Sequence, residues 1–403
     1  MFREKVLSEL DEGPRLNLKF NRSKAALYMA HPERQDAEPL IEQLMKQVPK
    51  RAFKTLKRDS VPWHVELIGE GATDAGGPAR DIFSQMCIEV MNPITGLFIE
   101  TPNRRNNIGE NQEVLIPNSY AISEEMQQRF VYVGLLMTIA FISRLQQPFK
   151  LAEFVWAYLT GEPLTIEDIY AVDNAFERLM KEIDNNEIND EEAKRRGLTF
   201  TAIDSHGAEV DLFPGGSSVK VTQEKLTEYS QLYKKYRLDE MKLQLDRLKE
   251  GIRYFFPEEA TSLLSPWELE LLVCGDMKVS VDDLKKHCKY DAKDHSTQML
   301  WEVLEGFSPE ERMLFIKFAT GRMGLPPPGM KWHSELSIVW VQAHAIDDQQ
   351  MPLPTAATCS SSIRIPRYST KEWMARKIRA AILFGTEIDT DRQVDFSQIA
   401  PLS

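Results

Sequence analysis

The apolar run from Phe130 to Ser143 constrains the fold more than any other segment of this chain. It is bounded by Arg129 and Arg144, and it is too short to cross a hydrocarbon layer of about 30 Å as a helix. The surrounding stretch, residues 122–159, keeps a helical period and is strongly apolar. The sequence therefore predicts buried helices at the centre of a globular core and no insertion into a membrane.

The length of the chain predicts more than one packed unit. A chain of 403 residues exceeds the usual size of a single hydrophobic core, so two or three units joined by a hinge are expected. We place the hinge at residues 290–296, a polar stretch without clear periodicity. The 42% hydrophobic and 27% charged composition favours folding throughout.

Charge and cysteine usage narrow the class of protein. A net charge of −12 argues against nucleic acid as a partner, because such binding depends on neutralising phosphates. The N-terminal residues lack the apolar core of a secretory signal. The cysteines lie far apart without a CxxC pair, which favours the reducing cytosol or nucleus over an exported, disulfide-bonded protein.

Local patterns predict a mainly helical first part that contains a small β subdomain. Ile169, Val172, Phe176, Met180 and Ile183 share one helical face. The runs LTFTAI, AEVDLF and VKV, separated by SHG and PGG turns, then predict a short β meander. A long helix over residues 223–252 follows. Beyond the hinge, helices from Met299, Pro309 and Lys371 and strands near residues 336–341 and 362–365 predict a compact α/β unit.

The glycine-rich turn at residues 69–77 raises the question of nucleotide binding, since a strand precedes it and a helix follows it. Asp74 occupies the position of the third glycine, Glu70 adds a second negative charge, and no lysine follows as in a phosphate-binding loop. Tight turns are the better interpretation.

The seven histidines show no metal-binding spacing, and no metal or other cofactor is predicted.

Cys359 differs from the other cysteines in its surroundings. It lies in LPTAATCSSSIRIPRYS, a polar stretch of small residues directly before a short strand, which suits a thiol that another protein must approach. Cys87 and Cys274 lie within apolar helical patterns, which predicts packing roles. A papain-like protease remains an alternative for a reactive cysteine, but nothing near Cys359 marks a partner histidine.

Several segments, in order, resemble the catalytic domain of HECT-type ubiquitin ligases. LPTAATC followed by IRIPRYS is similar to the active-site loop of that family. The stretches VELIGEGATDAGGPARDIF, LTGEPLTIEDIYAVD, VDLFPGGSSVKVT, LELLVCGDMKVSVDDLK, LWEVLEGFSPEERMLFIKFATG and LPPPG resemble its other parts. The resemblance extends from about Leu16 to Leu383.

The resemblance implies an α+β, bilobal fold. A large, mostly helical N-lobe would cover residues 1–289 and include a small β-containing subdomain for the conjugating enzyme at about 176–228. A hinge at 290–296 would join it to a smaller α/β C-lobe, residues 297–403, which carries the cysteine.

The resemblance also implies a reaction and its partners. Ubiquitin would pass from a ubiquitin-conjugating enzyme to Cys359 as a thioester, and then to a lysine of a protein substrate. Thioester exchange is nearly balanced in free energy, so this chemistry depends on positioning and on some thiolate at neutral pH. The second step needs an acceptor for the lysine proton, and the sequence does not identify it.

Further site residues follow by position in the family. Thr358 would orient the loop beside the thiol. Ile363, Ile365, Pro366 and Tyr368 would contact the tail of ubiquitin, with plain packing as the alternative. Phe176, Met180, Ile183 and Tyr229 would form the groove for the conjugating enzyme, although their helical spacing also fits the core.

Two departures from the family pattern leave an alternative open. Ala357 stands where many members have histidine, so no adjacent imidazole activates the thiol. The chain also extends past the usual end, with Phe396 far along a tail that holds Asp389, Asp391 and Asp395. A catalytically silent module that binds a conjugating enzyme as a scaffold is therefore the second hypothesis.

Overall fold

The structure, a computed structural model, describes residues 13–70, 77–276, 279–322, 324–326, 331–332, 334–342 and 347–384. Its buried apolar side chains fall into two clusters, one running in sequence from Leu18 to Cys274 and the other from Val279 to Ile382. We call these the first core and the second core. Helices predominate, and the described sheets are small, which confirms the α+β prediction.

The first core contains most of the helices. They are α1 (Arg22–Ala30), α2 (Leu40–Gln47), α3 (Gly77–Val90), α4 (Pro102–Asn106), α5 (Glu124–Ile142), α6 (Glu153–Thr160), α7 (Ile166–Tyr170), α8 (Asn174–Asp184), α9 (Asp190–Arg196), α10 (Leu226–Asp239), α11 (Lys242–Arg253), α12 (Glu258–Thr261) and α13 (Pro266–Cys274). Its strands form pairs: β1 (Leu16–Phe20) with β2 (Trp63–Leu67), β3 (Phe98–Glu100) with β4 (Leu115–Pro117), and β5 (Thr201–Ile203) with β6 (Glu209–Asp211).

The predicted central helix is α5, which is buried along most of its length. It crosses α11 at two glycines, where a side chain on Gly134 would collide with the carbonyl group of Leu248 and one on Gly251 with that of Val131. The two backbones therefore approach closely because neither position carries a Cβ atom. Among the described helices, none is long and apolar enough to span a membrane.

Two predicted helical stretches are divided in the structure. The long helix expected over residues 223–252 breaks at Glu240 and Met241, between α10 and α11. The helical face from Ile169 to Ile183 is shared between α7 and α8, because Asp173 caps α8 through a hydrogen bond from the backbone nitrogen of Phe176. In the β meander, the third predicted strand is reduced to a bridge between Thr199 and Lys220.

The second core surrounds a four-stranded sheet of order β7-β8-β10-β9. The strands are β7 (Cys288–Lys289), β8 (Leu336–Val341), β9 (Thr355–Ala357) and β10 (Ser362–Pro366), with β9 antiparallel and the others parallel. The helices are α14 (Val281–Lys286), α15 (His295–Glu305), α16 (Pro309–Thr320) and α17 (Lys371–Phe384). This is the compact α/β unit that the sequence predicts.

The boundary between the units differs from the predicted hinge at 290–296. The two cores divide between Cys274 and Val279, because Val281 and Leu284 of α14 already pack in the second core. Strand β7 pairs with β8, and Tyr290 packs edge-on against Trp301 at 5.0 Å. The stretch 290–296 is polar because it is a loop that ends in the cap of α15, not because it joins the two units.

Candidate active site

Cys359 lies in a 3₁₀ turn, Thr358–Ser360, that joins β9 to β10. The ends of the two strands are paired, with Ala357 opposite Ser362. The turn closes with a hydrogen bond of 3.2 Å from the backbone nitrogen of Ser361 to the carbonyl oxygen of Thr358. The backbone therefore places Cys359 at the tip of a hairpin, while its side chain lies outside the described part of the structure.

Ser361 gives the hairpin its sharp return. Its backbone is left-handed, with φ of 47° and ψ of 55°, and its side chain is fully buried. Non-glycine residues adopt this conformation at a cost and persist in it only where their surroundings fix them. The segment directly after the cysteine is thus held in one shape by its neighbours.

Strand β10 anchors the hairpin in the second core. It pairs with β8 on one side and with β9 on the other, and it directs Ile363 and Ile365 into the core. Tyr368 is also buried, and its hydroxyl donates a hydrogen bond of 2.7 Å to the carbonyl oxygen of Pro352. Burial raises the pKa of Tyr368 well above its usual value.

The four residues predicted to contact the tail of ubiquitin are all buried. Ile363, Ile365, Pro366 and Tyr368 pack inside the second unit, which favours the packing role that the sequence left open. A side-chain contact with ubiquitin would first require their exposure. Their role in binding ubiquitin stays a prediction.

Two side chains of α3 reach across to this region from the first core. A nitrogen of the Arg80 guanidinium donates a hydrogen bond of 2.7 Å to the carbonyl oxygen of Thr358. The hydroxyl of Ser84 donates one of 3.0 Å to the carbonyl oxygen of Gly321, and it accepts one of 3.0 Å from Gln147. Through Arg80, the first core is therefore hydrogen-bonded to Thr358, the residue immediately before Cys359.

Arg322 contacts the other end of the turn, at Ser361. It follows α16 and is only 2% exposed. Its guanidinium donates to the hydroxyl of Ser361 at 3.3 Å and to the carbonyl oxygen of Arg144 at 3.3 Å, and it lies over the ring of Trp332. Burial, together with the nearby charge of Arg80, lowers the pKa of Arg322 to about 10.

A cavity of about 450 Å³ opens beside the turn, between the two cores. The hairpin contributes Ala356 and Thr358 to its wall. Its apolar side is formed by Pro78, Leu314, Phe318, Ile382 and Leu383. Its charged residues are Arg22, Arg80, Asp81 and Lys317, of which Arg22 and Asp81 form an ion pair of 2.8 Å.

The other three cysteines are poor candidates for a reactive thiol. Cys87 and Cys274 are buried in the first core, as the sequence predicts, and burial raises the pKa of each thiol well above its usual value. Cys288 is partly buried, and its pKa is raised to about 12 for the same reason. Raised pKa values keep these thiols protonated and unreactive near neutral pH.

The residues predicted to form the groove for the conjugating enzyme also pack inside the protein. Phe176, Met180, Ile183 and Tyr229 are each at most 5% exposed. Phe176 packs against Tyr233 at 4.7 Å, and Tyr229 packs edge-on against Phe200 at 5.9 Å. In this arrangement they build the core of the small subdomain, and their contact with a conjugating enzyme stays a prediction.

Arg80 and Arg322 are the parts of the site that sequence reasoning missed. Arg80 follows the glycine-rich turn, where the sequence draws attention only to the backbone and to the acidic residues. Arg322 follows the end of a helix and looks like an ordinary surface arginine. The meeting of the two cores brings Arg80 to the cysteine turn, and the packing within the second unit brings Arg322 there. No local pattern in the sequence predicts either contact. Within the described residues, no group of acidic, histidine or cysteine side chains is arranged to hold a metal.

Comparison with known families gives a match over most of the chain. The model of the HECT-domain (ubiquitin-transferase) family matches residues 84–389. The chain belongs to the HECT-domain family. The match confirms the fold class expected from the sequence, and the family is the ubiquitin-transferase family that the sequence resembles. From here on we call the first core with its helices and strands the N-lobe, and the second core with its elements the C-lobe.

Individual HECT ligases show the same relation. The chain is 30% identical to the E3 ubiquitin-protein ligase HERC2 of Homo sapiens over 406 aligned residues, which cover 99% of this chain and 8% of that protein. It is 28% identical to HACE1 of Xenopus tropicalis over 77% of this chain and 34% of that protein, and 28% identical to RSP5 of Chaetomium thermophilum over 79% and 38%. The chain thus spans only a small part of the length of these relatives.

Proposed function

We propose that the chain is a working ubiquitin-protein ligase domain that carries ubiquitin as a thioester on Cys359. The observation that supports this most is the place of Cys359 at the tip of the β9–β10 hairpin, beside a cavity between the two lobes. The other three cysteines have raised pKa values and lie at positions that do not suit transfer.

The first step moves ubiquitin from the conjugating enzyme to the ligase. The thiolate of Cys359 attacks the carbonyl carbon of the thioester that links ubiquitin to the conjugating enzyme. A new C–S bond forms to Cys359, the old C–S bond breaks, and the cysteine of the conjugating enzyme leaves as a thiolate. Because one thioester replaces another, the step needs little stabilisation of charge, and the main task of the domain is to hold the turn in place.

The second step moves ubiquitin to a protein substrate. A neutral lysine amine attacks the same carbonyl carbon, a C–N bond forms, the C–S bond to Cys359 breaks, and the amine loses a proton to a base. Thr358 is proposed to orient the turn in both steps, because its carbonyl oxygen is the group that Arg80 binds. Ubiquitin, a conjugating enzyme and protein substrates are the proposed partners.

The test is a reconstituted reaction with an activating enzyme, a broad panel of conjugating enzymes, ubiquitin and ATP. We expect an adduct of ubiquitin on the wild-type chain that thiol reductants remove, and none on Cys359→Ala. Cys288→Ala is the matched control and should form the adduct normally, since its thiol is partly buried and has a raised pKa.

The silent scaffold is the competing function, favoured by the alanine at position 357. It predicts normal binding of a conjugating enzyme with no transfer of ubiquitin to Cys359. Binding measured by calorimetry in parallel with the adduct assay separates the two. Binding without an adduct across the whole panel would reject the proposed ligase function.

A further inference from the structure

Two arginines from different parts of the fold bind the two ends of the cysteine turn. Arg80 of the N-lobe donates to the carbonyl oxygen of Thr358, the residue before Cys359, at 2.7 Å. Arg322 donates to the hydroxyl of Ser361, the residue that ends the turn, at 3.3 Å. Gly321, directly before Arg322, lies close to both Arg80 and Thr358. The two guanidinium groups therefore hold the two ends of the turn, and both line one small cavity beside it.

Arg322 is an unusual side chain to bury at this place. Its guanidinium contacts within the described residues are a backbone carbonyl, a hydroxyl and an aromatic ring, and no carboxylate is among them. Burying a cation without an ion pair costs free energy, because the protein replaces only part of its hydration. A buried charge of this kind is expected to be retained in a protein only where it has a function, and here it lies beside the cysteine turn.

The other charged groups around the turn leave a positive balance. The cavity beside Thr358 is lined by Arg22, Lys317 and Asp81 in addition to Arg80, and Asp81 is already paired with Arg22. A second cavity of about 270 Å³ is lined by Arg80, Arg322, Arg15 and Asp59. In each of the two cavities, three positive side chains accompany one carboxylate.

We propose that Arg80 and Arg322 are positioning residues for Cys359, which hold the two ends of the turn and favour the thiolate over the thiol. The inference rests on the proposed role of Cys359. Positive groups near a cysteine lower the pKa of its thiol and raise the fraction of the attacking thiolate. The two arginines thus stabilise the thiolate, a role that a histidine at position 357 could have and that Ala357 cannot. Because Arg80 belongs to the N-lobe, the cysteine is most reactive while the lobes are in contact.

The pH dependence of alkylation at Cys359 tests this directly. Iodoacetamide is applied to the whole chain from about pH 5 to pH 10, and the labelled fraction of the peptide that contains Cys359 is measured by mass spectrometry. In the wild type we expect the midpoint of the alkylation rate below the usual cysteine pKa of about 8.5. Arg80→Gln should raise the midpoint by about one pH unit, which reduces the rate at neutral pH about tenfold.

Conservative and distant substitutions serve as controls. Arg80→Lys keeps the charge and should restore a midpoint close to that of the wild type, which a merely structural role would not require. Arg364→Gln removes an exposed arginine of β10 and should leave the midpoint unchanged. Arg322→Gln should raise the midpoint as Arg80→Gln does. If this buried change prevents folding, the Arg80 pair of variants decides the matter alone.

Two results would overturn the inference: an unchanged midpoint in Arg80→Gln, or equal midpoints in Arg80→Gln and Arg80→Lys that both differ from the wild type. Alkylation needs neither ubiquitin nor a conjugating enzyme, so it is independent of the ligase assay. A chain that shows the expected shift but forms no ubiquitin adduct would contradict the proposed function and keep this inference. A chain that forms the adduct without the shift would support the proposed function and contradict this inference.

Discussion

The guanidinium of Arg80 and the carbonyl oxygen of Thr358 are joined by a hydrogen bond of 2.7 Å that crosses from the N-lobe to the C-lobe. Thr358 immediately precedes Cys359, so the contact links the position of the lobes to the shape of the turn that carries the cysteine. Ser84 and Gly321 add a second contact on the same side. The proposed transfer of ubiquitin between two proteins needs such control of where the cysteine lies.

The left-handed backbone of Ser361 leads to a prediction about the turn. Ser361→Thr keeps the hydroxyl that binds Arg322 but places a β-branched side chain at φ of 47°, where branching is disfavoured. We expect it to lower the free energy of unfolding by about 1–2 kcal/mol, measured by denaturant titration. Ser362→Thr, on the neighbouring strand residue, should cost less. Equal effects of the two changes would show that the backbone of Ser361 carries no special constraint.

The buried cluster around Arg237 gives a prediction about the stability of the N-lobe. Arg237 is fully buried and pairs with Asp173 at 2.6 Å and with Glu240 at 2.9 Å. Arg237→Leu would leave two buried carboxylates without their cation, so the free energy of unfolding should fall by about 3–5 kcal/mol. Urea denaturation followed by circular dichroism measures the loss.

Lys234→Leu is the matched control on the same helix. Lys234 pairs with Asp184, which is 52% exposed, and surface ion pairs contribute little. A loss in Arg237→Leu as small as that in Lys234→Leu would contradict the importance of the buried cluster.

Glu89 predicts a pH dependence of stability. Its carboxylate accepts hydrogen bonds from the backbone nitrogens of Leu40 and Ile41, at 2.9 and 3.2 Å, at the start of α2. Burial nevertheless raises the pKa of Glu89 to about 7. Between about pH 4.5 and 7 the folded state holds more protons than the unfolded state, so this group's contribution to stability falls as pH rises through that window.

The expected size of this effect is at most about 3 kcal/mol between pH 4.5 and 8. Glu89→Gln cannot ionise, so it should lose less stability than the wild type over the same interval, as measured by urea denaturation at several pH values. Glu66→Gln changes an exposed glutamate of β2 and should keep the wild-type dependence. The idea fails if Glu89→Gln and the wild type show the same dependence on pH.

The sequence predicted the parts of the fold that depend on local signals. The helix predicted from Pro309 is α16, and it begins there because Ser308 and Glu311 form a capping box around a proline in the first turn. The strand before the glycine-rich turn, the helix after it and the buried helix α5 also follow from periodicity and composition. The special surroundings of Cys359 were visible for the same reason.

Features that depend on long-range packing were not predictable in this way. The predicted hinge at 290–296 lies beyond the division between the two cores at 274–279. The polar loop before α15 resembles a linker, and a single sequence does not show that β7 pairs with β8. The helical spacing of Phe176 and Met180 could not distinguish packing in the core from forming a groove for the conjugating enzyme, because both roles need the same apolar helical face. Arg80 and Arg322 meet the cysteine turn only through tertiary contacts.

The nature of the bond between ubiquitin and residue 359 tests the central claim most directly. After reaction with a loaded conjugating enzyme, the wild-type adduct should be removed by thiol reductants. The Cys359→Ser adduct should resist them and be cleaved by hydroxide, because an oxygen ester replaces the thioester. Mass spectrometry should place both bonds at residue 359. An adduct on Cys359→Ser that is still removed by reductants, or a wild-type bond at Cys288, would contradict the account.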